Sequence, residues 1–107
     1  MSLWLSLSVE SDGESDMVYH RNATHNLCEM AHKAGIYEAL WCSSGKLAKD
    51  VVGTVVTGLI ALITRPEQYN AYAASNGWGD RNHLVEFAIS FIEAASIHPN
   101  ALISVSK

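Results

Sequence analysis

The chain opens with a strict alternation of apolar and polar residues, which is typical of a strand with one buried face. The apolar members of this alternation are Leu3, Leu5, Leu7 and Val9. Residues 10–16 then carry four carboxylates and no basic side chain, so we expect a solvated hairpin loop around the turn signal Asp12-Gly13. The segment from Met17 to Arg21 is predicted to return as a second strand.

After this hairpin, apolar residues begin to recur at the spacing typical of a helix. The apolar residues that recur at that spacing are Leu27, Met30, Ala31 and Ala34. Asn22 or Thr24 is predicted to cap the start of the helix, and Gly35 is placed to end it. A further short amphipathic turn is predicted from Ile36, Tyr37, Leu40 and Trp41.

Two longer helices and a closing strand are predicted in the second half. Residues 47–64 are rich in β-branched side chains, but their apolar positions recur every four residues, which favours a helix with a wide apolar face. Pro66 ends it and starts a short helical turn, and residues 75–79 are predicted to form a tight loop. Asp80 is predicted to cap a last helix over residues 81–97, and Ala101 to Ser106 alternates as a strand.

These elements predict a single compact α+β domain over residues 1–107. We expect a small antiparallel sheet, made from the N-terminal hairpin and the C-terminal strand and packed on one face by three to five helices. The hydrophobic share of 49% excludes a disordered chain, and the net charge of −4 argues against a nucleic-acid or anionic-membrane partner. The apolar run from Val51 to Thr64 is too short for a bilayer, and the opening residues lack the features of a signal peptide.

Three motifs together carry a resemblance to a known group of proteins. They are residues 18–26 (VYHRNATHN), residues 34–41 (AGIYEALW) and residues 76–79 (NGWG). In their order and spacing they resemble a group of small proteins of bacteriophage genomes and other mobile elements, for which no activity is established. The resemblance implies an origin and a fold rather than a mechanism. Relatives have Arg-Pro where Cys42-Ser43 stands here, so Cys42 lies outside their pattern.

One candidate site is a metal centre on the first helix. On a continuous helix, His25, Cys28 and His32 would lie within one sector, opposite the apolar stripe. Imidazole and thiolate are ligands that suit zinc, and His20 or Cys42 would supply a fourth. The alternative is that these are ordinary side chains on a solvent-facing helix, since their spacing is not that of an established zinc motif.

A second candidate site is the start of that helix. Its unpaired backbone N–H groups would attract an anion, with Thr24, His25 and Asn26 adding side-chain donors, but simple capping also explains these residue types. Trp78, between two glycines, is either an exposed binding aromatic or a plug at the end of the core. His83, Glu86, Ser90 and Glu93 follow one side of the last helix and are interpreted as a solvated polar face.

The sequence contains no recognisable catalytic set, and we therefore favour a non-enzymatic accessory protein of phage or mobile-element type. It is expected in the cytoplasm, without a cofactor, acting through a protein partner, with a homodimer left open. The alternative hypothesis is a small metal-binding protein or hydrolase centred on His25, Cys28 and His32.

Overall fold

Three strands and five helices make up the described part of the chain, which in this computed structural model is residues 2–70 and 81–107. The strands are β1 (Ser2–Ser11), β2 (Glu14–Thr24) and β3 (Leu102–Ser106). The helices are α1 (Cys28–Ala34), α2 (Tyr37–Trp41), α3 (Ala48–Thr64), α4 (Pro66–Asn70) and α5 (Arg81–Ile97). The sheet is antiparallel throughout, in the order β2-β1-β3, and the predicted α+β class is confirmed.

The N-terminal hairpin is longer than its sequence pattern predicts. β1 and β2 remain paired up to Ser11 and Glu14, so only Asp12 and Gly13 form the turn. Both turn residues have positive φ, 54° and 82°, which is the condition for a type I′ turn and matches the right-handed twist of the strands. The prediction of a loop over residues 10–16 was therefore wrong, because an Asp-Gly turn lets an acidic but exposed ladder continue to the tip.

One face of the sheet is buried beneath the helices. The core side chains of the central strand are Leu3, Leu5 and Leu7, each at most 1% exposed. Their cross-strand partners on β2 are Ala23, Arg21 and Tyr19, and those on β3 include Val105 and Ile103. The period-2 pattern of the sequence thus places one residue in two against the helices, as predicted.

The first helix differs from its prediction at the N-terminal end. Residues His25–Leu27 form a 3₁₀ turn, and α1 begins only at Cys28. Leu27 occupies the N-cap position without a side-chain hydrogen bond, so neither Asn22 nor Thr24 caps α1 as predicted. Its C-terminal end is as predicted, because Gly35 has φ of 80° and its N–H caps the carbonyls of the last turn.

The segment rich in β-branched residues is a helix, α3, which confirms the prediction from its period. Its buried stripe is narrower than predicted and consists of Ala48, Val51, Val55, Gly58 and Leu62. Val56, Ile60 and Ile63, which the wide apolar face also included, are exposed. The described residues include no helix with the length and apolarity that crossing a bilayer would require.

Aromatic rings connect the short helices to α5. Trp41 of α2 is 1% exposed and stacks on Phe87 of α5 at a centroid distance of 6.3 Å. Tyr37 also stacks on Trp41, with ring centroids 5.5 Å apart. α5 spans the predicted residues 81–97, whereas the loop predicted at 75–79 and the Asp80 cap lie outside the described residues.

We expect Val55→Asp to abolish the cooperative unfolding transition. Val55 is fully buried on α3, so the carboxylate would be desolvated without a partner, at a cost of about 3–5 kcal/mol. The control is Val56→Asp on the exposed side of the same turn, which should cost less than about 1 kcal/mol. Thermal melts followed by circular dichroism test both variants, and equal melting temperatures for them would contradict the assigned core face.

A pair of glycines on α3 should respond to alanine with opposite signs. A Cβ on Gly58 would overlap Cγ2 of Ile36 and approach the Ala34 carbonyl oxygen to 3.0 Å, whereas a Cβ on Gly53 would have nothing within 4 Å. Gly58→Ala should therefore lower the free energy of unfolding by about 1–3 kcal/mol. Gly53→Ala should raise it by about 0.5–1 kcal/mol, because alanine is the better helix former. Urea unfolding of both variants measures the two changes.

Candidate functional site

The outer edge of β3 is covered by the segment that leads into α3. The Gly45 N–H donates to the Ile103 carbonyl at 2.9 Å, and the Ile103 N–H donates to the Lys46 carbonyl at 2.8 Å. The Val105 N–H donates to the Ser44 hydroxyl at 3.3 Å. This edge of the sheet therefore has its backbone groups satisfied within the chain.

The direction of these bonds fixes which backbone groups of β2 face outward. In an antiparallel ladder, the N–H and C=O of one residue point to the same side, and consecutive residues alternate. Ile103 points away from β1, so its partner Leu7 bonds to β2 instead, through the directly opposite Tyr19. It follows that His20 and Asn22, the next positions in alternation, present their N–H and C=O groups to the outer edge of β2.

This outer edge of β2 is open in the described part of the chain. None of the backbone hydrogen bonds formed there outside the regular ladders and helices involves a residue of β2. The strand has 11 residues, so its edge is about 36 Å long. An open edge of that length is a template for an additional strand, and the bulge at Val18 and the charged side chains of β2 restrict which strand can pair with it.

A groove accompanies the open edge, with β2 as one wall and α5 as the other. Two adjoining cavities, of about 210 and 310 Å³, share Arg21 and Glu86. The remaining side chains of the first are Asn22, Ala23, Thr24, Leu27, His83 and Phe87. The remaining side chains of the second are Ile89, Ser90 and Glu93.

The two walls of the groove are joined by Tyr19. Its hydroxyl and that of Ser90 on α5 are hydrogen-bonded at 2.7 Å, and its ring meets Phe91 edge-on at 6.3 Å. Burial raises the pKa of the Tyr19 phenol above its usual 10.0, against smaller opposing effects of the Ser90 hydrogen bond and the nearby Arg21 cation. This contact fixes α5 against β2, so the groove between them is preformed.

Carboxylates and a cation face each other across the groove. Glu86 and Glu93 lie two helical turns apart on α5 and are exposed, while Arg21 on β2 lines both cavities with Glu86. Ser90 donates to the Phe87 carbonyl at 2.9 Å as well as contacting Tyr19, so it is only partly exposed. The interpretation of this side of α5 as a solvated face was therefore incomplete, because it is also the wall of the groove.

The other face of the sheet carries a small aromatic cluster. Trp4 is 44% exposed and stacks on His20 with ring centroids 4.6 Å apart. The His20 Nδ1 is hydrogen-bonded to the Ser6 hydroxyl at 2.8 Å, and the Asn22 amide donates to the Leu3 carbonyl at 3.1 Å. These contacts hold the side chains of His20 and Asn22, two residues whose backbone groups face outward, against the sheet and away from its edge.

The residues predicted to bind an anion are only partly brought together. Thr24 lies at the end of β2, lines the groove and accepts a 3.4 Å hydrogen bond from the Asn26 N–H. Asn26 belongs to the 3₁₀ turn and is exposed. The side chain of His25 and the whole of Trp78 lie outside the described residues.

The predicted metal site depended on one continuous helix, and that premise was wrong. His25 belongs to the 3₁₀ turn, so only Cys28 and His32 share α1. Burial raises the pKa of the Cys28 thiol, with a smaller opposing effect of Lys107, and this disfavours the thiolate that a metal needs. His32 stacks on Tyr37 at 3.8 Å, and no cluster of three metal-ligating side chains occurs among the described residues.

A separate cleft lies among α1, α2 and the first turns of α3. Its volume is about 370 Å³, and its polar and charged lining residues are His32, Tyr37, Glu38, Lys46, Asp50 and Thr54. The charged members are all exposed. None of the lining residues belongs to a strand, so the cleft has no row of aligned backbone groups to bind a partner, and it is not favoured as the functional site.

Sequence reasoning did not identify Arg21 or Glu86 as parts of one groove. The only available signal was the alternation in β2, which places Arg21 on the same face as Tyr19. β2 packs on the polar side of α5 through a tertiary contact between segments more than 60 residues apart. Local periodicity does not predict such a contact.

Comparison with known proteins adds no relative. No protein-family profile, curated protein or solved structure matches the chain.

The contact between Tyr19 and Ser90 should make stability depend on alkaline pH. Because the folded-state pKa of Tyr19 is raised, its contribution is fully present below pH 10.0 and is lost as the pH rises through the folded-state value. We expect Tyr19→Phe to cost about 1 kcal/mol at neutral pH and the difference from wild type to shrink as the pH is raised above 10.0. Urea unfolding across this range measures it, and a difference independent of pH would contradict the assignment.

Proposed function

We propose that the chain is a non-enzymatic accessory protein, of phage or mobile-element type, that binds another protein along the open edge of β2. The partner contributes an extended segment that adds to the sheet as a fourth strand. Its backbone bonds to the outward groups of His20 and Asn22, and its side chains enter the groove between β2 and α5. Action in the cytoplasm belongs to the same proposal.

The observation that supports this proposal most directly is the difference between the two edges of the sheet. The edge of β3 is covered by residues 44–47, whereas among the described residues nothing covers the edge of β2. Strand addition obtains affinity from backbone hydrogen bonds and specificity from pockets for alternate side chains. The groove beside β2 offers such pockets, with apolar contacts at Ile89 and charged ones at Arg21 and Glu86.

Two other surfaces were compared with this edge. Val56, Ile60 and Ile63 form an exposed apolar stripe on α3, but three side chains make a patch no larger than monomeric proteins ordinarily expose. The outer face of the sheet spans only three strands, and its exposed apolar residues Trp4, Met17 and Leu102 are separated by the serines Ser6 and Ser8 of the central strand. Neither surface presents a row of aligned backbone N–H and C=O groups, as the edge of β2 does.

The proposal is tested with one backbone substitution and a matched control. Asn22→Pro removes the outward N–H without breaking a bond to β1, and proline is tolerated at such edge positions. Asn22→Ala keeps that N–H and removes the same side-chain bond to Leu3. Tagged wild-type and variant chains are used to capture partners, both from a host lysate and from a differently tagged preparation of the chain itself.

We expect wild type and Asn22→Ala to retain the same partner and Asn22→Pro to lose it. In the recovered complex, hydrogen exchange should show new protection at the amides of His20 and Asn22, which face outward, and little change at Arg21, whose amide already bonds to β1. Retention of the partner by Asn22→Pro, or protection confined to another surface, would overturn the proposal. Equal melting temperatures of the two variants confirm that the comparison is made between folded proteins.

A further inference from the structure

We infer that the strand added to β2 is the β2 of a second copy of this chain, in an antiparallel arrangement about a two-fold axis. The inference rests on the proposed function, because it names the partner of the same edge. A two-fold contact requires that the edge be complementary to itself, residue by residue. The register of β2 meets this condition when the two-fold axis passes between Met17 and His20.

A β-bulge in β2 lies at the centre of that alignment. Leu7 is paired with Tyr19 and Ser8 with Met17, so Val18 is an extra residue. Beyond the bulge, the alternation therefore shifts, and Met17 and Ser15 present their backbone groups outward. Met17 and His20 lie opposite Ser8 and Ser6, two residues apart on β1, so they are separated by about 6.7 Å, the normal spacing of successive bonding pairs.

Self-pairing of the strand then places outward groups opposite outward groups. Met17 of each copy lies opposite His20 of the other, and Ser15 opposite Asn22. The two-fold axis repeats each of these two pairings, so the dimer has four such pairs. Together they form about eight backbone hydrogen bonds. The bulges of the two copies face each other at the axis, so neither interrupts the ladder, and a continuous six-stranded sheet results.

The same alignment brings opposite charges together on the helix side of the sheet. Asp16 is opposite Val9 and Arg21 is opposite Leu5, so both side chains lie on the face that carries the helices. In the dimer, Asp16 of one copy is directly opposite Arg21 of the other, and this pair occurs twice. Oppositely charged residues in this cross-strand position stabilise a ladder, and like charges destabilise it.

The outer face is complementary as well. Met17 is 60% exposed in the single chain, with its side chain on the same face as Ser8. Opposite His20 of the second copy, it lies beside the Trp4–His20 stack, where a thioether packs favourably against aromatic rings. The dimer thus covers the most exposed apolar side chain of β2.

The inference is tested by exchanging the two charges. Arg21→Asp places a carboxylate opposite Asp16 and beside Glu86 and Glu93, so the dimer should weaken on the order of a hundred-fold. Adding Asp16→Arg restores an opposite-charge pair and should bring the dissociation constant back to within about ten-fold of wild type. Adding Glu67→Arg instead, at an exposed site on α4, gives the same net charge and should restore nothing.

Sedimentation equilibrium and light scattering across a concentration series measure these constants, with circular dichroism melts as the check on folding. A wild-type measurement that needs no variant accompanies them. Amide protection at Met17, His20 and Asn22 should rise with protein concentration, while protection at Arg21 stays constant.

Each outcome decides the inference. Dimerisation lost in Arg21→Asp and restored only by Asp16→Arg supports it. A wild-type chain that remains monomeric, or equal rescue by Glu67→Arg, overturns it. In the monomeric case, capture of a host protein that depends on the Asn22 N–H would leave the proposed function standing with another partner. Loss of both dimerisation and capture would overturn the two together.

Discussion

Every hydrogen bond that joins the three strands into a sheet passes through β1. Its odd-numbered residues in the first half bond to β2, its even-numbered ones bond to β3, and its leucines fill the space between the sheet and the helices. Because β1 is paired on both sides over Trp4–Ser8, an additional strand beside this part of the sheet joins at β2 or β3. The segment before α3 already pairs with the outer edge of β3, so the edge that remains for an additional strand is that of β2.

The same geometry explains why β2 is held in place although it is an edge strand. An edge strand with only one hydrogen-bonded neighbour would fray unless another element held it. Tyr19 supplies that support, since its hydroxyl bonds to Ser90 and its ring packs on Phe91. This contact is made by the Tyr19 side chain and uses none of the backbone groups at the open edge. The backbone groups of His20 and Asn22 therefore remain directed outward.

The acidic hairpin tip has a role consistent with this picture. Four carboxylates on one short segment discourage indiscriminate strand pairing, which is how natural edge strands avoid aggregation. A partner strand must then offer compensating charge at a defined position. In the symmetric arrangement Arg21 offers it to Asp16, and the bulges at Val18 of the two copies lie at the centre of that alignment.

The sequence by itself determined the elements whose periodicity is set by local burial. The alternation of Leu3, Leu5 and Leu7, the four-residue period of α3 and the Asp-Gly and Gly35 signals each predict a feature that the structure confirms. These features depend on which side of one element faces the core, and the types of a few neighbouring residues are enough to predict that side.

Only the tertiary structure decided the rest. The 3₁₀ turn at His25–Leu27 removed the premise of a His/Cys/His face, and α3 buries Val55 while leaving Ile60 exposed, although both lie in the same apolar pattern. The open edge depends on bonds between residues 44–47 and β3, and the groove on contact between β2 and α5. These pairings join segments that are distant in sequence. A local sequence pattern does not predict which distant segment will cover a strand edge, or which edge will stay uncovered.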